Sequence, residues 1–263
     1  MRGRVLIIAG SDSGGGAGIQ ADIKTVTMLG AFAATAVTAL TAQNTRGVFG
    51  VLPIAPDFIR QQIEVVLDDI GADAIKTGML HDAAVIETVA AALTERAPDV
   101  PLVVDPVMVA KGGAALIEPS AIETLKRRLI PRAAVLTPNL PEGEILVGRP
   151  IASVADMHDA ARRLLMLGCR AVLLKGGHLP GETVSDVLAS EAGIQMWQSP
   201  RIDTRHTHGT GCTLASAIAA GLAQNMALDA AVARARDYVR RAIESAPGIG
   251  HGHGPLDHAH PLG

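Results

Sequence analysis

The chain has 263 residues and a formal net charge of −3, long enough for a substantial core and without the basic excess that attracts nucleic acid. Hydrophobic residues make up 48% and aromatic residues 2%, so the core is aliphatic and offers no stacking platforms for bases. Two cysteines, Cys169 and Cys212, cannot build a secreted-type disulfide framework, which points to a reducing cytoplasm.

The N-terminal MRGRVLIIAGSDS has an apolar run that stops at a Gly/Ser/Asp turn. It is shorter than the ~7–15 residues of a signal-peptide core. No segment reaches the ~18 unbroken apolar residues of a membrane span, so no membrane partner is expected. RVLIIA reads as a buried first strand, and AGIQADIKTVTML as a helix that Gly30 closes. FAATAVTALTA (strand) and APDFIRQQIEVVLDDIG (helix) follow, then DAIKTG (strand), DAAVIETVAAALTER (helix) and PLVVD (strand). In the helix PSAIETLKRRLI, Ser120 and Glu123 have capping-box spacing. AAVLT is a strand, LPEGEILVG and SVADMHDAARRLLMLG are helices, and RAVLLKGG is a strand. The pattern then changes: TVSDVLAS and IQMWQS read as a hairpin around EAG, and two helices follow. Their apolar stripes are Leu214, Ile218, Leu222 and Leu228, Val232, Val239, Ile243. This alternation predicts an α/β fold, a central mainly parallel sheet with helices on both faces, as one domain over residues 1–263.

Six apolar strands each run into a small polar cluster: GSDSGGGAG, QNT, TGM, PVM, PNLPE and GGH. Ligands of open parallel sheets bind beyond the carboxyl ends of the strands, so these clusters predict an active-site edge. The glycine loop is neither a P-loop nor a dinucleotide fingerprint, because no Gly-Lys-Ser/Thr follows and Ile19 replaces the third glycine. It still feeds a helix, where backbone can approach a ligand closely. Asp22 could point back at that ligand or be a solvated helix residue. Asp105, Asn139 and Glu142 supply oxygen donors of the kind that suit Mg²⁺ on nucleotide phosphates, although Asn-x-x-Glu is also ordinary helix-start chemistry. Lys175 offers a point charge for a phosphate, and Gln43 an amide for the edge of a heterocycle or for a structural hydrogen bond.

In HTHGTGCTLASAIAAGLA, Gly209, Thr210 and Gly211 lead into a helix with Cys212 at its start. A helix N-terminus favours anions. The same field is expected to lower the thiol from ~8.5 toward neutrality, giving an anion hole with a base beside it. A buried inert cysteine is the alternative.

The motifs AGSDSGGGAGIQADIKT, TALTAQNT, IKTGML, VVDPVM, TPNLPE, KGGH and THGTGCTLASAIAAG resemble, in order and spacing, the bacterial hydroxymethylpyrimidine/phosphomethylpyrimidine kinases of thiamine biosynthesis, within the ribokinase-like superfamily. The resemblance runs from the first strand to the GHGHGPLDH tail. It implies ATP-dependent phosphorylation, first of a hydroxymethyl aminopyrimidine and then of its monophosphate, with ATP and Mg²⁺ as the cofactors. By the same resemblance Gly209, Thr210 and Gly211 form the anion hole, and Cys212 stands where most of the superfamily places a catalytic Asp. Gly10, Asp22, Gln43 and Met79 would hold the pyrimidine, Lys175 and Asn139 the nucleotide side, and Asp105, Asn139 and Glu142 the Mg²⁺ region. A cytoplasmic homodimer is also implied. Two departures stand out: VAKGGAAL is plainer than expected after DPVM, and His206 occupies a place where Asn is commoner.

Rival readings are pyridoxal kinase activity on the same fold, a cysteine hydrolase with Cys212 as nucleophile and His206 or His208 as base, and a non-catalytic pyrimidine binder. His251, His253, His258 and His260 in the tail resemble metal ligands only weakly, and a mobile or partly docked tail is the plainer expectation.

Overall fold

The computed structural model describes residues 1–108 and 118–262. The VAKGGAAL stretch therefore lies outside the described residues. Among the described residues nine strands form one continuous sheet in the order β3-β2-β1-β4-β5-β6-β7-β8-β9. These are β1 (Arg4–Asp12), β2 (Phe32–Asn44), β3 (Gly47–Pro53), β4 (Ala74–Thr77), β5 (Leu102–Val104), β6 (Ala133–Leu136), β7 (Ala171–Lys175), β8 (Thr183–Ser190) and β9 (Gly193–Pro200). Strands β2, β1, β4, β5, β6 and β7 are mutually parallel, and β3, β8 and β9 run against their neighbours. The six polar clusters follow the six parallel strands, so the topology gathers them on one edge.

Alternation along β1 shows how the sheet is covered. Leu6 and Ile8 join the apolar cluster beneath α2 (Pro56–Asp69), α3 (Ala83–Arg96), α4 (Pro119–Arg128), α5 (Leu140–Val147) and α6 (Val154–Leu165). Val5, Ile7 and Ala9 join the opposite cluster with α1 (Gly18–Met28), α7 (Thr210–Ala223) and α8 (Leu228–Glu244). A strand with both faces covered must be apolar throughout, as RVLIIA is.

Most elements fall where the sequence puts them, and Gly30 ends α1 with φ +82°. Two differ. The edge strand β3 was not predicted, because its exposed, glycine-containing GVFGVLP lacks a burial pattern. Ser120 and Glu123 do not form a capping box: Pro119 takes the first turn of α4, which moves the N-cap to Glu118 and leaves no side-chain cap bond.

The His-rich tail is docked. Gly252 N donates to Thr45 Oγ1 at 3.2 Å, His253 N donates to Thr45 O at 2.7 Å, and Gly254 O accepts from His208 N at 3.1 Å. His258 is buried, with Nε2 2.9 Å from Thr213 Oγ1, and its carbonyl accepts from the Tyr238 hydroxyl at 2.7 Å. Burial, then the nearby Lys24 charge, pushes the His258 ring down from 6.5 to about 4. The undocked ring thus binds protons that the docked ring refuses, so its contribution to stability is complete above 6.5 and lost as pH falls toward 4. Amide protection factors across residues 250–258 should fall between pH 6.5 and 4 more than those of β1 do. An equal fall in both segments would mean His258 does not govern the docking.

Candidate active site

The carboxyl ends of the parallel strands, the glycine loop and the start of α7 enclose a cavity of about 490 Å³. Of the residues named from sequence, Gly10, Gln43, Met79, Asp105, Asn139, Glu142, Lys175, Gly209, Thr210, Gly211 and Cys212 all line it. Asp22 does not. It is fully buried behind Lys76, a residue the sequence reading passed over, and its carboxylate accepts from Lys76 Nζ at 2.8 Å and from Ser216 Oγ at 2.7 Å. Lys76 itself lines the cavity, though its side chain is 0% exposed. Burial would discharge this ammonium, but Asp22, with Cys212 and Asp105, outweighs burial and holds it protonated, above its usual range. His206 is also absent from the lining; a Cβ on Gly254 would come 2.3 Å from its Nδ1. A smaller hollow of about 300 Å³ at the β8–β9 turn offers Asp229 as its one charged lining residue.

A second charged cluster sits across the cavity. Lys175 Nζ lies 3.1 Å from Asp105 Oδ1, which also accepts from Thr137 Oγ1 at 3.1 Å. Asn139 caps α5: its side chain accepts from Glu142 N at 2.9 Å, while Glu142 Oε2 accepts from Asn139 N at 2.8 Å. The Asn-x-x-Glu pair is thus a capping box at the start of α5, and both of its residues line the cavity. Burial raises the Glu142 carboxyl to about 7, against the opposing pull of Lys175. Among the described residues no three His, Cys, Asp or Glu side chains converge as a metal site. Asp105, Asn139 and Glu142 line the cavity together, and their oxygens are of the kind that could hold a hydrated Mg²⁺ arriving on phosphates.

Sequence reading also missed Asp12, and named His208 only as a base for the hydrolase reading. Asp12 organises the glycine loop by accepting from Gly14 N at 2.7 Å, Gly16 N at 3.1 Å and Ala17 N at 2.8 Å. His208 Nε2 lies 2.9 Å from Asp12 Oδ2. Burial alone would raise the Asp12 carboxyl, but the His208 bond and the Ala17 and Gly14 amides hold it below its usual range. Gln43 completes the group, 3.3 Å from His208 Nε2 and 3.2 Å from Thr41 Oγ1. An Asp in GSDSGGG was visible as a turn former, but its partner lies 196 residues away.

At the start of α7 the chain turns on Gly209, the N-cap, with φ +81°. A Cβ there would stand 1.9 Å from Gly16 O, so the two glycine loops touch backbone to backbone. A Cβ on Gly211 would reach 3.3 Å from Lys175 Nζ and 3.6 Å from Asp105 Oδ2, so the absent side chain leaves a cradle between these charges and the helix N-terminus. Cys212 is partly covered, and its titration contradicts the sequence expectation. Burial raises the thiol to about 11, despite the Lys76 charge and the Gly18 amide that favour thiolate. Desolvation, reinforced by the Asp22 and Asp105 charges, outweighs the helix field.

A family model described as phosphomethylpyrimidine kinase matches residues 12–257. The hydroxymethylpyrimidine/phosphomethylpyrimidine kinase of Bacillus subtilis is 48% identical over 97% of this chain and 94% of its own. The thiamine biosynthesis bifunctional protein of Geobacter sulfurreducens is 54% identical over 98% of this chain, which spans 52% of that longer protein. Among solved structures, an ADP complex of Bacillus subtilis pyridoxal kinase superimposes with a TM-score of 0.92 at 38% identity over 100% of both chains. Phosphomethylpyrimidine kinase of Clostridium difficile gives 0.81 at 42% identity, over 91% of this chain and 99% of its own. With a glycine-lined cradle at the end of a ribokinase-like sheet and a match over most of its length, the chain belongs to the phosphomethylpyrimidine kinase family.

Proposed function

We propose that the chain transfers a phosphoryl group from ATP to the hydroxymethyl group of 4-amino-5-hydroxymethyl-2-methylpyrimidine, then a second to the resulting monophosphate, in thiamine biosynthesis. The observation that carries this reading is the Gly209–Thr210–Gly211 start of α7, which opens onto a cavity lined by Lys76 and Lys175 with Cys212 beside it. Phosphoryl transfer asks mainly for positioning and for stabilised charge. The α7 N-terminus and Lys76 face the transferred group, Lys175 the nucleotide phosphates, and Gly10, Gln43 and Met79 the pyrimidine. Mg²⁺ carried on the phosphates would spread their charge, held through water by Asp105, Asn139 and Glu142. Reduced Cys169 and Cys212 suit the cytoplasm, where we place the protein.

We assign Cys212 as the base that takes the alcohol proton. A thiol near 11 is largely protonated at neutral pH, so the first phosphorylation should climb about tenfold per pH unit below that value. The second acceptor is already an anion and should show no such slope. Cys212→Ala should therefore abolish the slope and slow the first step more than the second. Equal losses in both steps would make Cys212 a positioning group instead.

Purified protein with ATP and Mg²⁺, offered the pyrimidine alcohol and pyridoxal separately, should give mono- and then diphosphorylated pyrimidine by mass. The likeness to pyridoxal kinase at a TM-score of 0.92 favours pyridoxal as the second reading, and pyridoxal phosphate as the sole product would establish it. The hydrolase reading is disfavoured by the match to named kinases over nearly the whole chain. For the homodimer, we assign pairing to the exposed apolar side chains of Phe49 and Leu52 on β3 and of Phe58 and Val65 on α2. Sedimentation should give twice the chain mass, and a monomer at micromolar concentration would refute the pairing.

A further inference from the structure

Two features of the Gln43 surroundings fix its amide. A carboxylate only accepts hydrogen bonds, so at 2.9 Å from Asp12 Oδ2 the His208 Nε2 must carry a hydrogen. The Thr41 hydroxyl has one hydrogen, and the Ser11 carbonyl accepts it at 2.8 Å. With Gln43 Nε2 toward His208 and Oε1 toward Thr41, two N–H donors face each other at 3.3 Å and the Thr41 oxygen has nothing left to donate at 3.2 Å. Turned over, both contacts become sound. The amide oxygen shares the His208 hydrogen with Asp12 in a three-centre bond, and the amide nitrogen donates to Thr41. The second N–H of Gln43 is then the one left for the cavity.

The same imidazole ties the two glycine loops together. His208 precedes Gly209 in the chain, and its ring lies against the other loop, where a Cβ on Gly16 would fall 2.5 Å from Cδ2. Its ring bonds to Asp12, whose carboxylate gathers the amides of residues 14, 16 and 17. Its own backbone N–H donates to Gly254 O.

We propose that His208, held by Asp12, is a positioning residue for the transfer: it sets the Gln43 amide with its oxygen inward and an N–H toward the substrate, and it locks the pyrimidine side of the cavity to the phosphate-binding turn. This rests on the kinase reading above for its kinetic part only. The hydrogen-bond part stands without it.

Nitrogen-15 spectra of the full-length protein without ligands should show His208 with a hydrogen on Nε2, and Asp12→Asn should perturb that signal. A ring with its hydrogen on Nδ1 alone would overturn the proposal. In steady-state assays His208→Leu should raise the pyrimidine KM about tenfold or more, because the Gln43 oxygen and the Asp12 carboxylate lose a shared donor. The ATP KM should stay within about twofold, since Lys175 keeps its Asp105 partner and the backbone N–H of residue 208 still holds the α7 turn to Gly254. His208→Gln, which returns an N–H on a side chain of similar reach, should recover most of the loss. Identical pyrimidine KM values in His208→Leu and the parent, or equal loss in both variants, would overturn the positioning role. If His208→Leu does not fold, His208→Gln and the nitrogen-15 signal decide. Absence of pyrimidine phosphorylation by the parent protein would sink the kinase reading while leaving the tautomer result to judge the hydrogen-bond proposal.

Discussion

Gly209→Ala should lower kcat by about 100- to 1,000-fold, the loss that follows removal of a charge-stabilising backbone donor. The backbone at Gly209 sits at φ +81°, where an alanine is strained, and its new Cβ would fall 1.9 Å from Gly16 O. Neither neighbour is the tip of a flexible side chain, so one of the two glycine loops must move. Because Gly209 also caps α7, any movement swings the free N–H groups of the helix start, to which we assign the phosphoryl group. Most of the sheet lies far from this turn, so the melting temperature should fall by only a few degrees, and the ratio of kcat loss to stability loss is the diagnostic quantity. Gly211→Ala is the control. Its Cβ would approach the Lys175 ammonium at 3.3 Å, and that flexible side chain can give way, so a milder loss concentrated in the ATP KM is expected. Full kcat in Gly209→Ala would exclude the α7 turn from the chemistry.

Lys76→Met should destabilise the protein by about 3–5 kcal/mol, because it leaves the Asp22 carboxylate uncompensated in the core. Both partners are 0% exposed, so water cannot rescue the orphaned charge. For a chain of this size the melting temperature should drop by roughly 10 °C. The double change Lys76→Met with Asp22→Asn should recover much of that drop, because the introduced amide is neutral and still accepts from Ser216 Oγ, which now bonds Asp22 at 2.7 Å. Activity should not recover with it, since the cavity has lost the ammonium that faces Cys212. Calorimetry and steady-state kinetics on the single and double variants separate the two effects. A double variant as unstable as the single one would show that the ion pair is not the source of the loss.

How far the sequence foretells this molecule depends on how local each signal is. Five of the six parallel strands are readable because burial on both faces forces runs such as RVLIIA, whereas β2 is only partly covered. β3 escapes because most of its residues are exposed and it carries no burial pattern. The Gly209–Cys212 turn is legible from its glycines at a helix start, but the state of the thiol is not. That depends on how deeply the sheet buries Cys212, and desolvation there exceeds the helix field. Lys76 had a usable signal, a lysine inside the apolar DAIKTG strand, since a buried lysine requires a buried partner. Asp22 was noticed and misplaced for the same reason: its helix was clear, but the face it turns to Lys76 is set by tertiary packing. Asp12 and His208 had no local signal as a pair.

The docked tail imposes an order of events on synthesis. Gly254 accepts the His208 amide, and Thr213 on α7 meets His258, so residues made after α8 brace the Gly209 turn. The sheet and most of its helices can collapse while the ribosome is still adding the tail, but the tail's braces on residue 208 and on α7 form only after residues 254 and 258 have emerged. The Asp12–His208 closure, across 196 residues, joins the earliest strand to one of the latest loops. A nascent chain can thus acquire its core well before it becomes competent to spend ATP.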